Sequence, residues 1–229
     1  MAQREVPQAQ ELEQLLASAD PEFGYRRLAG PYALVAAAVA VGMALFQLYT
    51  AGFGTLLALK QRAVHLGFVF TLVFLLYPLR RRHAGQTLFG WVDVAFALAG
   101  LFSVGYLLWH HDRLMLQAGQ LTRTDLLVGA AGLLLVLEAG RRVMGVLPFI
   151  AAALLVYPFV GEHFPGLFAV RRFPVERVIE HMWYTTEGVF GIPLGVSATY
   201  VFLFVLLGAF LERTGLGQLF VEVALALAG

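Results

Sequence analysis

The stretch of residues 192–211 contains twenty consecutive positions without a charged side chain. A helix of this length is about 30 Å long, which is the thickness of the hydrocarbon core of a bilayer. The stretch therefore predicts a membrane-spanning helix. It also contains Pro193 near its start and the hydroxyl groups of Ser197, Thr199 and Tyr200 near its middle. Because polar groups in a bilayer need hydrogen-bond partners, we expect polar groups to face them.

Composition extends this prediction to the whole chain. Hydrophobic residues make up 59% of the 229 positions and charged residues 14%, whereas about 25% of a soluble domain is charged. We therefore predict an all-α, polytopic integral membrane protein. The net charge of +1 gives no support to nucleic-acid binding. The chain has no cysteine, so the sequence predicts neither disulfides nor thiolate metal sites.

The distribution of apolar runs predicts six spans and a truncated seventh segment. The six spans are residues 31–50, 63–79, 90–109, 125–140, 146–161 and 192–211. We expect residues 1–29 to form a cytoplasmic arm that is not a cleaved leader, and residues 30–145 to form a four-span part. Residues 146–191 then hold the fifth span and a connector, and residues 192–229 the sixth span and the truncated segment.

Two segments have the alternation of apolar and charged residues that is typical of amphipathic interfacial helices. The first lies in the N-terminal arm, where Leu12, Leu15 and Leu16 recur at helical spacing; a solvated tail is the alternative. The second lies within residues 162–191, where arginines and glutamates alternate with apolar residues.

Arginines near the span ends predict a cytoplasmic N-terminus. Seven of them then lie on the cytoplasmic side: Arg26, Arg27, Arg80, Arg81, Arg82, Arg141 and Arg142. Three arginines within residues 171–177 fall on the opposite side and conflict with this orientation. Either the amphipathic segment tolerates them, or one of spans four and five is not a full crossing.

Four charged residues lie in or near spans and are candidates for scaffold ion pairs. Glu138, Arg141 and Arg142 are three and four residues apart and share a helix face. Asp93 lies just inside the third span, where an acid needs a partner, and we expect an arginine such as Arg62 or Arg123 to pair with it. A role in transport coupling is the alternative for both groups.

The sixth span carries the candidates for a substrate path, which are Ser197, Thr199 and Tyr200. Secondary transporters use broken helices at such sites, and we expect a break at Pro193, with Gly191 and Gly195 completing a hinge. The alternative is close helix packing with the hydroxyls bonded to the preceding turn.

Other site chemistry has little support in the sequence. The run His110, His111 and Asp112 holds ligand types for a metal, but adjacent residues rarely converge on one ion, so we predict no metal site. Gly-x-Ser-x-Gly and cysteine are absent, so we predict no catalytic residues and no enzyme.

Four stretches resemble the fused membrane permease of tripartite ATP-independent periplasmic (TRAP) transporters, with the TAXI branch most similar. They are ALFQLYTAGFG (44–54), RAVHLGFVFTLVFLLYP (62–78), LEAGRRVMGVLP (137–148) and TTEGVFGIPLGVSATYVFLFVLLGAFLERTGLG (185–217). TAXI permeases fuse a four-span small subunit to a twelve-span large subunit.

The resemblance implies a multi-pass secondary transporter of a bacterial or archaeal inner membrane. A periplasmic TAXI-type solute-binding protein would deliver an organic solute, often a carboxylate, and a Na⁺ or H⁺ gradient would drive uptake, with no other cofactor. The chain lacks the Gly-Ser-Gly-Ser hairpin tip of the family's moving part and stops at Gly229. We therefore expect it to supply mainly scaffold, with the remaining large-subunit transport region as partner. A non-transporting structural membrane subunit or an orphan fragment is the alternative.

Overall fold

The structure is a computed structural model that describes residues 25–26, 28–79, 90–117 and 119–228. The predicted helix at Leu12, Leu15 and Leu16, and the orienting arginines Arg27, Arg80, Arg81 and Arg82, lie outside the described residues. The described residues form helices and no strand, which confirms the all-α prediction.

Nine helices follow one another along the described chain. Their bounds are α1 Pro31–Phe53, α2 Ala58–Leu76, α3 Trp91–Trp109, α4 His111–Leu116, α5 Arg123–Met144, α6 Leu147–Val160, α7 Val175–Trp183, α8 Ile192–Thr214 and α9 Leu216–Ala228. Short 3₁₀ turns at Gly161–His163 and Gly166–Phe168 separate α6 from α7. Helix α1 ends at Gly54, whose φ of 113° lies in the region that favours glycine.

Four of these helices, α1, α2, α3 and α8, are long and apolar enough to cross a membrane. Helix α5 corresponds to the predicted fourth span and has 22 residues, about 33 Å, but carries charged residues near both ends. Helix α6 corresponds to the predicted fifth span and has 14 residues, about 21 Å, which is shorter than the hydrocarbon core. Helix α9 is likewise short and apolar.

Helix α2 lies at the centre of the bundle and contacts α1, α3, α5 and α8. Its Phe70 and Phe74 are fully buried, and Phe74 stacks on Phe96 of α3 at 5.5 Å between ring centroids. A Cβ atom on Gly100 of α3 would lie 2.8 Å from the Phe70 ring. The glycine therefore permits the close approach of α2 and α3.

Helix α7 is the amphipathic helix predicted within residues 162–191, and its apolar face packs on α5. Trp183 at its end is 0% exposed, and Tyr184 donates a hydrogen bond to the Asp125 carbonyl at 2.6 Å. The indole lies directly on Gly132 of α5, where a Cβ atom would be 2.3 Å from the ring. This face of α7 is therefore covered by protein.

Candidate functional site

One group of charged side chains joins α2, α3 and α5; we call Arg26, Asp93, Glu138, Arg141 and Arg142 the arginine cluster. The Asp93 carboxylate accepts from Arg26 Nη2 at 2.5 Å and from Arg142 Nη1 at 2.7 Å. All three of these residues are buried. Glu138 accepts from Arg142 Nε at 2.9 Å and from Arg141 Nε at 2.7 Å. The carboxylates thus connect three guanidinium groups.

The predicted partners of Asp93 were wrong. Arg62 donates instead to the Phe190 carbonyl at 2.5 Å, and Arg26 and Arg142 occupy the positions beside Asp93. Arg26 precedes α1 and is 67 residues from Asp93. The sequence contains no local spacing that would indicate this pair.

The arginine cluster also closes the C-terminal end of α2. The Arg26 amide donates to the Leu76 carbonyl at 2.7 Å, and Arg142 Nη1 donates to the Tyr77 carbonyl at 2.8 Å. The Arg142 guanidinium also lies 4.8 Å from the ring centroid of Phe74. Cationic groups stabilise the end of a helix at which carbonyl groups point outward. The geometry is that of a closed junction between helices.

A second group of polar side chains joins α1, α2 and α8; we call Gln47, Gln61, His65 and Ser197 the imidazole chain. Gln61 Nε2 donates to Gln47 Oε1 at 3.3 Å, and Gln47 Nε2 lies 2.7 Å from His65 Nδ1. His65 Nε2 lies 3.3 Å from Ser197 Oγ. Gln47, Gln61 and His65 are buried. A continuous chain of polar side chains therefore connects the three helices.

The three substrate-path candidates have different environments in the structure. Ser197 faces His65, and Thr199 Oγ1 donates to the Gly195 carbonyl at 2.9 Å within its own helix. Tyr200 is 66% exposed. Thr199 and Tyr200 line two neighbouring open cavities of about 330 and 360 Å³, which lie between the α1–α2 loop and α8.

The expected break at Pro193 is absent, because Pro193 lies in the first turn of α8, where proline is tolerated. The irregular part follows as a π-helical turn over Ser197–Val201, in which the Phe202 amide donates to the Ser197 carbonyl. Gly191 and Gly195 are buried, and a Cβ atom on Gly195 would lie 2.7 Å from the Arg62 guanidinium. A hinge role for these residues stays a prediction.

The run His110, His111 and Asp112 does not converge on one point. His110 Nδ1 lies 3.1 Å from the Tyr106 carbonyl, whereas His111 Nδ1 lies 2.9 Å from Asp112 Oδ1. The His111 hydrogen bond and the charge of Lys60 lower the pKa of the exposed Asp112. Among the residues that the structure describes, no three ligating side chains are placed to hold a metal ion.

A further buried carboxylate, Asp125, organises the start of α5. It accepts from Arg113 Nη2 at 2.5 Å and from the Tyr106 hydroxyl at 2.7 Å, and it forms a capping box with Thr122. The hydrogen bond to Asp125 raises the pKa of Arg113. All acceptor positions of this carboxylate face protein donors, which indicates a structural role.

The apolar helices and the buried polar junctions define an all-α, multi-pass membrane protein. Residues 131–229 match the family model of the tripartite ATP-independent periplasmic transporter, DctM component. This match supports a membrane component of a TRAP transporter. The match begins within α5. The sequence analysis places the start of the large-subunit part later, at residue 192, and that boundary stays a prediction. No curated protein and no solved structure matches the chain.

Proposed function

We propose that the chain is a scaffold part of the permease of a TAXI-type TRAP transporter. The transporter takes up an organic solute, often a carboxylate, which a periplasmic binding protein delivers, and a Na⁺ or H⁺ gradient drives the uptake. The chain lies in the inner membrane with its N-terminus in the cytoplasm. The remaining transport region of the large component is its partner.

The observation that carries this proposal is the position of the buried polar junctions relative to the family match. Glu138, Arg141 and Arg142 lie within the matched residues 131–229, whereas Asp93 lies outside them. The Arg142–Asp93 ion pair at 2.7 Å thus joins the matched part to the part before it. Breaking a buried ion pair is costly, so such a junction suits two parts that stay together while another part moves.

A non-transporting structural membrane subunit is the second candidate. It is favoured by the hydrogen bond between Ser197 and His65 and by the one that Thr199 donates to the Gly195 carbonyl, because both hydroxyls are then bonded within the protein. The proposals agree on the scaffold and differ on whether the assembly moves a solute.

Uptake by proteoliposomes separates the two candidates. The liposomes contain the chain with the complete DctM-type component, and the periplasmic binding protein is added outside with a mixture of isotope-labelled organic acids. We expect mass spectrometry to detect accumulation of at least one acid when a Na⁺ or H⁺ gradient is imposed. We expect none when the gradient is dissipated, when the binding protein is omitted, or when the chain is present alone. Equal uptake without the binding protein, or no uptake under either gradient, would contradict the transport proposal.

A further inference from the structure

We propose that His65 is a positioning residue that fixes the π-helical turn of α8 against α1 and α2, and that it does so as a neutral imidazole protonated on Nε2. The contacts that assign this role lie within the protein and do not depend on the solute or on the coupling ion. They are the hydrogen bonds of the imidazole chain, the groups around the ring, and the contact of Ser197 with the π-helical turn.

The direction of the imidazole chain is set by Thr50, whose hydroxyl donates to the Gln47 backbone carbonyl at 3.2 Å and therefore accepts from Gln61 Nε2 at 3.1 Å. The amide group of Gln61 donates to Gln47 Oε1, so the amide nitrogen of Gln47 is the atom that faces His65 Nδ1. An amide nitrogen has no lone pair to accept a hydrogen bond, so Nδ1 must be the acceptor. In a neutral imidazole the proton then lies on Nε2, which points at Ser197 Oγ at 3.3 Å.

Among the residues that the structure describes, the surroundings of the ring offer no counter-ion to an imidazolium. Helix α1 faces it with Gln47 and has no charged residue, its titratable groups being Tyr32 and Tyr49. Helix α8 faces the imidazole ring with Ser197 and Phe202. Its first charged residue is Glu212, and its titratable residue near the ring is Tyr200. On α2 itself the nearby charges are Lys60 and Arg62, both cations. On α3, which packs against α2, Asp93 is bound to two arginines and Tyr106 to Asp125. On α5, which also packs against α2, Asp125 is paired with Arg113, and Glu138 with Arg141 and Arg142. A buried charge without a partner is costly, so the neutral form is the one that fits.

The imidazole chain meets α8 at the point where its helical pattern changes. Ser197 is the first residue of the π-helical turn, and π-helical turns cost stability unless contacts maintain them. One turn earlier on α2, Arg62 donates to the Phe190 carbonyl and lies against Gly195, so both contacts hold the same end of α8. The turn carries Thr199 and Tyr200, which line the two cavities. We call these two neighbouring cavities the groove. His65 thereby sets the shape of the groove without contacting a molecule that enters it.

Nitrogen NMR of the wild-type chain tests the protonation state directly. The chain has six histidines, and ¹⁵N-labelled histidine in lipid nanodiscs with a His65→Gln spectrum for assignment isolates the His65 signals. At neutral pH we expect Nε2 in the protonated range and Nδ1 in the unprotonated range. We expect Gln47→Leu to move signal toward the other tautomer, because it removes the donor to Nδ1. A wild-type Nδ1–H tautomer or an imidazolium would overturn the proposal.

Cysteine labelling tests the positioning role, since the chain has no cysteine of its own. The reporter is a single cysteine introduced as Thr199→Cys in the groove, and its rate of labelling by a maleimide is measured. This rate is divided by the labelling rate of Thr214→Cys, which lies at an exposed position at the end of α8. We expect His65→Leu and Ser197→Ala to raise the normalised rate roughly three- to ten-fold, the effect of losing one hydrogen bond. We expect His65→Gln, which can donate to Ser197, to stay within about two-fold of wild type.

His163→Leu is the matched control, because His163 is exposed and its Nδ1 lies 3.3 Å from the Val160 carbonyl of its own turn. It should leave the labelling rate unchanged. Equal rates for wild type, His65→Leu and His65→Gln would overturn the positioning role. If His65→Leu does not yield monodisperse protein, the wild-type NMR spectrum and the His65→Gln labelling rate decide the question.

Discussion

Replacement of Asp93 by alanine is expected to lower the free energy of unfolding by about 3–5 kcal/mol. The substitution removes the carboxylate between Arg26 and Arg142, which are both buried and hydrogen-bonded to it at 2.5 and 2.7 Å. Two guanidinium groups then remain away from water, and the acceptors left to them among the described residues are Glu138 and the carbonyls at the end of α2. Reversible unfolding in mixed detergent micelles, followed by circular dichroism, measures the loss.

Asp112→Ala is the matched control for this prediction. The Asp112 side chain is 83% exposed and pairs with Lys60 at 3.5 Å, and we expect its loss to cost less than about 0.5 kcal/mol. Asp93→Asn should fall between the two, because an amide accepts a hydrogen bond but carries no charge. A cost below about 1 kcal/mol for Asp93→Ala would mean that the arginine cluster does not hold the helices together.

Replacement of Trp183 by alanine is expected to cost about 3–5 kcal/mol of unfolding free energy. The indole is fully buried between α5 and Phe190, whose ring centroid lies 5.1 Å away, so its removal leaves a large cavity. The contact of α7 with α5 at Gly132 would then be lost. The same detergent titration measures this effect, and Trp109→Ala is the control because Trp109 is 85% exposed.

Glycine substitutions test the same contact from the opposite side. Gly132→Ala places a Cβ atom against the Trp183 ring and should destabilise the protein by about 1–3 kcal/mol. Gly105→Ala in α3 meets no atom within 4 Å and should be neutral or slightly stabilising. If Trp183→Ala costs no more than Trp109→Ala, or if the two glycine variants behave alike, the packing of α7 on α5 is wrong.

The spans were the most predictable part of the fold, because their signal is local. Length and apolarity alone place α1, α2, α3 and α8. The shortness of α6 and the packing of α7 on α5 were left open by the sequence, since both depend on which face meets which neighbour. The contact of Trp183 with Gly132 joins residues that no helical spacing relates.

The polar junctions were predicted only where a charged residue stood in an apolar stretch. Asp93, Glu138, Arg141 and Arg142 were identified in this way, but the role of Arg26 depends on a partner 67 residues away. The π-helical turn could not be predicted, because its contact with His65 spans 132 residues.

Gln47 and Gln61 were missed, although the sequence held a signal for them. Gln47 and Thr50 lie three residues apart at the end of span one, and Gln61 and His65 lie four residues apart near the start of span two. Such spacings put polar groups on one helix face, where the bilayer makes a partner necessary.

Membrane topology most directly tests the central proposal that these helices cross a bilayer and that the N-terminus faces the cytoplasm. Single cysteines are introduced in the cysteine-free chain at Leu57 in the α1–α2 loop and at Val146 between α5 and α6, both exposed positions. The account predicts that the chain stays in membranes at alkaline pH. In intact cells an impermeant maleimide should label the cysteine at 57 and should label that at 146 only after permeabilisation. Release of the chain into the supernatant, or equal labelling of both cysteines in intact cells, would contradict it.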